Sequence, residues 1–139
     1  MAKWVKTKFD SEIKNFTAIA NKIAGGISQQ ELKRNLVSQM IDDFKKKYNA
    51  KTMQDIKSTE WKMLQGSDSW LSTNMNVIEK NIKKSEMPKL YEAIVNLLSG
   101  NPVPTPIIMM QNNVGMLISG EYIMIACRLL NIEPKVVMF

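Results

Sequence analysis

The last third of the chain, residues 104–139, constrains the fold more than any other stretch. Two short apolar runs, residues 107–110 and 116–118, flank the loop residues 111–115. Asn112, Asn113 and Gly115 tolerate left-handed backbone, so the two runs predict a hairpin. Pro106 suits the start of its first strand. A Ser119-Gly120 corner then opens a helix predicted over residues 121–131, with Ser119 as a candidate cap and Gly120 as a point of close approach. Ile123, Ala126, Cys127, Leu129 and Leu130 leave that helix so few polar positions that it must be largely buried. Residues 131–134 turn the chain, and residues 135–139 read as a buried strand. The result is a small β-β-α-β unit, and its corner is the one place in the unit where chemistry could sit.

Five helices are predicted before it. The first covers residues 9–24, where Ile13, Phe16, Ala20, Ile23 and Ala24 recur at three- and four-residue steps and Gly25-Gly26 stops the pattern. The second opens at Ser28, because Ser28 and Glu31 have capping-box spacing. Leu32, Leu36, Met40 and Phe44 give it an apolar stripe, and Lys45, Lys46 and Lys47 complement its C-terminal end. A third helix is predicted over residues 52–65 with Thr52 as cap, on a weaker stripe. A fourth is predicted over residues 68–84, through Leu71, Met75, Ile78 and Ile82. The fifth covers residues 86–98 behind Ser85, with Pro88 in its first turn and Leu90, Tyr91, Ile94, Val95 and Leu98 facing a core. Three prolines stiffen the connector. The predicted organisation is a basic helical region (1–100), a Pro-rich connector (101–106) and the α/β unit (107–139), an α+β fold.

Composition narrows the chemistry. There is no histidine, so His-based acid/base catalysis and His metal ligation are excluded. The single cysteine, Cys127, excludes an internal disulfide and a cysteine zinc site. No metal or cofactor is expected. No apolar run approaches bilayer length, and the basic start runs into Phe9-Asp10-Ser11-Glu12 without an apolar core, so neither a membrane span nor a secretory signal is expected. A cytoplasmic location follows as the expectation. The eleven methionines read as packing residues.

The net charge of +6 sits entirely on the first hundred residues, since Arg128 and Lys135 balance Glu121 and Glu133 beyond them. Candidate nucleic-acid contacts are Lys3, Lys6 and Lys8, then Lys45, Lys46, Lys47 and Lys51, then Lys80, Lys83 and Lys84. Trp4 and Tyr48 lie among them as candidate stacking residues. Solubility and helix-end placement explain the same lysines without a polyanion.

The segment PIIMMQNNVGMLISGEYIMIACRLLNIEPKVVMF resembles the core of the ParB-like (ParB/sulfiredoxin) domain. Ser119, Gly120, Glu121, Ala126, Leu130, Ile132, Pro134 and Val136-Val137 fall where that pattern expects them. The resemblance implies a nucleotide- or phosphate-binding corner at Ser119, Gly120, Glu121 and Tyr122. The places of the family's phosphate-holding arginines are taken by Tyr122 and Ile123, and Glu121 puts a negative charge where an anion would lie. The family's redox cysteine is also missing from the corner. What the resemblance implies is therefore a degenerate scaffold with a vestigial phosphate corner, of the short type found in bacteriophages and mobile elements. The resulting expectation is a phage-encoded, non-catalytic protein that binds a host or viral protein partner. The alternatives are a nucleic-acid-binding protein, with DNA ranked above RNA, and a nucleotide-dependent enzyme in which Lys83 or Lys84 replaces the arginines.

Overall fold

Asn112 and Asn113 both adopt left-handed backbone, with φ of 50° and 66°, and close the predicted hairpin. The computed structural model describes residues 2–64 and 75–139 and belongs to the mixed α+β class. Its first elements are β1 (Lys3–Val5), a 3-10 turn (Phe9–Glu12), α1 (Ile13–Ile23), α2 (Gln30–Ala50), β2 (Gln54–Asp55) and a 3-10 helix (Ser58–Met63). Then come α3 (Met75–Asn81), a 3-10 turn (Lys84–Glu86), α4 (Met87–Ser99), β3 (Pro102–Pro104), β4 (Ile107–Gln111), β5 (Val114–Ser119), α5 (Glu121–Leu130) and β6 (Lys135–Met138).

The main sheet has the order β2-β6-β4-β5. β4 pairs antiparallel with β5 and parallel with β6, and β2 adds antiparallel to β6. Successive strand residues point to opposite faces. Ile107, Met109 and Val137 therefore join one core with Phe9, Phe16, Ala20, Phe44 and Tyr48 of the α1/α2 side. Ile108 and Val136 join the other with Ile78, Leu90, Leu97, Met124 and Ile125. A strand covered on both faces reads as an unbroken apolar run, which is why Ile107–Met109 has no polar alternation. Each such buried side chain contributes about 1.5–3 kcal/mol.

The first core is aromatic. The Phe9 and Phe16 rings stack with centroids 4.7 Å apart, and Phe16 also meets Phe44, Tyr48 and Phe139. The Tyr48 hydroxyl donates to the Thr7 carbonyl at 2.6 Å. Phe44 and Tyr48 are the buried residues of α2, Val37, Met40 and Ile41 pack half-buried against the same core, and Leu32 at the start of the stripe is exposed.

Several expectations are corrected. Residues 52–65 are not one helix: β2 and the 3-10 helix stand there, because Ile56, Trp61 and Leu64 each plug the second core while Gln54 and Asp55 pair with β6. The basic lead-in contains β1, which pairs in parallel with the Pro-rich connector at Trp4↔Val103. Pro102 and Pro104 lack an N–H, and the Thr105 N–H bonds the Val5 carbonyl at 2.9 Å. α2 begins at Gln30, and neither Ser28 nor Gln29 caps it with a side chain. Ser119 caps nothing either: Gly120 is the N-cap of α5. The fourth predicted helix is found from Met75, and its predicted start at 68–74, with Leu71, lies outside the described residues. Tyr91, Val95 and Leu98 do not face the core but are exposed, since α4 buries Leu90, Ala93 and Leu97 instead.

Candidate functional site

The Ser119-Gly120 corner lines an open cavity of about 650 Å³ together with Glu121 and Tyr122. The far wall comes from Lys89, Glu92 and Asn96 of α4 and Asn15 of α1. All four predicted corner residues therefore share one cavity. Gly120 has φ of 99°, and a Cβ there would lie 2.8 Å from both the Cα and the Cβ of Pro106. Backbone geometry and the close pass of Pro106 thus account for the glycine without a ligand.

The charge at the corner is unfavourable to an anion. Glu92 and Glu121 face the cavity, and Lys89 is its only lining cation among the described residues. The Lys89 Nζ lies 3.0 Å from the Glu86 carboxylate, which also accepts from the Tyr122 hydroxyl at 3.0 Å. The hydrogen bonds from Lys89 and then Tyr122 hold the Glu86 carboxyl below its usual range. Burial, and then the bond to Glu86, push the Tyr122 phenol up to about 12. Tyr122 therefore presents at the corner a neutral phenol already committed to Glu86. Neither Lys83 nor Lys84 lines the cavity. Cys127 is wholly buried in α5, and burial pushes its thiol to about 12, which removes it as a nucleophile near neutral pH.

The lysines divide by what they touch. Lys6 donates to the carbonyls of Tyr48 (2.9 Å) and Lys51 at the C-terminal end of α2 and lies 4.7 Å from the Tyr48 ring centroid. It is a helix-end cap, and it ties β1 to Lys51. Lys47 pairs with Asp43 at 3.0 Å. Lys3, Lys8, Lys45, Lys46, Lys51 and Lys83 are exposed. Lys80 and Lys84 share a groove between α3 and α4. Tyr48 is 0% exposed, so it cannot stack on a base, and Trp4 packs half-buried against the second core.

The surface missed in the sequence is the outer face of α4. Tyr91, Val95 and Leu98 are 49%, 55% and 66% exposed. Their spacing of four and three residues places them in one row. The helical stripe alone could not tell inner from outer face, because α4 is apolar on both. Among the described residues, no group of carboxylates and cysteine could hold a metal ion, and no helix is long and apolar enough to cross a membrane. Comparison with protein-family models, curated proteins and solved structures finds no match.

Proposed function

We propose that this is a non-catalytic interaction protein that binds a protein partner through the outer face of α4. The observation that carries the reading is the exposed row Tyr91, Val95 and Leu98. Scattered surface apolar residues are ordinary, whereas an aligned row on one helix marks a contact surface. The corner fits this reading as a ParB-like scaffold, phage-encoded and acting in the host cytoplasm, that keeps its glycine but lacks phosphate-holding cations. The test is affinity capture from bacterial lysate with the wild-type chain and with a Tyr91→Ser, Val95→Ser, Leu98→Ser variant. A partner captured by the first and lost with the second is expected. An unchanged set of captured proteins would remove the α4 face from the reading.

A nucleic-acid reading is favoured by one observation. Lys45, Lys46 and Lys51 lie together at the end of α2, and none has an ion-pair partner among the described residues. DNA retardation at low salt, abolished by Lys45→Glu with Lys46→Glu, would support it. Unretarded probes would exclude it.

A further inference from the structure

We infer that the α4 face takes an acidic amphipathic segment of its partner, seated along the groove between α3 and α4. This rests on the protein-binding reading above and names the partner's chemistry. The groove has a volume of about 660 Å³, with Lys80 and Glu79 on the α3 side, Lys84 at the turn, and Met87 and Tyr91 on α4. Met87 is almost fully buried and gives the groove an apolar, adaptable floor. From Tyr91 the apolar row continues through Val95 to Leu98, about 10 Å along the helix axis. That length matches two to three apolar anchors on successive turns of a partner helix.

Charge selects the occupant. Lys80 and Lys84 have no ion-pair partner among the described residues, and Glu79 is the one acid among the described residues that line the groove, while Lys83 lies outside the groove lining and is within the electrostatic reach of Glu86. Lys89, on the helix itself, is already neutralised by Glu86. An apolar strip with uncompensated cations along one side complements a segment with apolar anchors and carboxylates beside them. A nucleic acid would use Tyr91 and the lysines but leave Val95 and Leu98 with nothing to bury against.

The test uses three labelled synthetic helical peptides, each about 15 residues long. One carries leucines at helical spacing with flanking glutamates, one the same leucines with lysines, and one the glutamates with serines for leucines. Fluorescence anisotropy with the full chain should show the acidic leucine peptide binding at least about tenfold tighter than either control. Its binding should weaken between about 50 and 300 mM salt. Lys80→Glu with Lys84→Glu should reverse the preference between the acidic and basic peptides, and Val95→Ser with Leu98→Ser should weaken binding of both. Thermal melts of these surface variants confirm that they are folded. Equal binding of acidic and basic peptides would overturn the inference, and so would no binding of the acidic one at about 1 mM. Tighter binding of a labelled single-stranded oligonucleotide, lost in the lysine variant, would overturn it as well. If the peptides fail while partner capture still depends on Tyr91, Val95 and Leu98, the face stands and only the partner's chemistry falls.

Discussion

Gly120→Ala separates two roles for the glycine at the head of α5. A phosphate corner needs glycine so that a ligand can approach, and an alanine there leaves folding nearly intact. The structure gives a different role. At φ of 99° an alanine is held in left-handed backbone, which costs about 1–2 kcal/mol. Its Cβ would also sit 2.8 Å from Pro106 Cα, a backbone atom that cannot swing aside. Overpacking of that kind costs about 1–3 kcal/mol more. The total is about 2–5 kcal/mol, or a fall in Tm of about 5–15 °C for a chain of this size. Gly25→Ala is the control, since a Cβ at Gly25 would meet nothing within 4 Å and the residue lacks left-handed φ. It should change stability by less than about 1 kcal/mol, in the stabilising direction. Urea unfolding and calorimetric melting read both variants. A Gly120→Ala protein within about 0.5 kcal/mol of wild type would refute the packing role.

Three further outcomes are expected. Lys6→Met should destabilise the fold by about 1–2 kcal/mol in urea unfolding, because it removes the ammonium from the carbonyls that end α2, whereas Lys45→Met should stay within about 0.5 kcal/mol. Stability should fall as pH rises from about 9 to about 12: the native Tyr122 and Cys127 hold their protons up to about 12, so the unfolded chain loses protons first and is favoured over that window. Below about pH 9 that stabilisation is fully present, and urea midpoints at about pH 8, 10 and 11 read the change. Cys127 should resist a thiol reagent at about pH 8 in the native protein and react once unfolded.

What is legible in the sequence depends on range. The β4–β5 hairpin, α5 and β6 follow from local signals: asparagines able to take positive φ, a dense apolar helix and a proline turn. α1 and the C-terminal end of α4 follow from periodicity and a glycine stop, and Gly100 indeed takes left-handed backbone. β1 is hidden because its three residues are stabilised only by Pro102–Pro104, far along the chain. Residues 52–65 mislead because Met53, Ile56, Glu60, Met63 and Leu64 give a weak helix stripe, with Trp61 off it, yet the burial of Ile56, Trp61 and Leu64 and pairing with β6 decide the backbone. At the site, the corner residues are legible, but their charge balance depends on Glu86, Lys89 and Glu92 of the preceding helical segment. No short-range pattern links those residues to Tyr122. Periodicity puts Tyr91, Val95 and Leu98 inside because it gives a face and not the side from which the core approaches it.

The most direct measurement compares quantitative affinity capture by three folded chains: wild type, Tyr91→Ser with Val95→Ser and Leu98→Ser, and Ser119→Ala. The α4 variant should lose the captured partner, and the Ser119→Ala chain should retain it at the wild-type level. Retention by the α4 variant with loss by the corner variant would contradict the placement of function on α4 and return it to the corner.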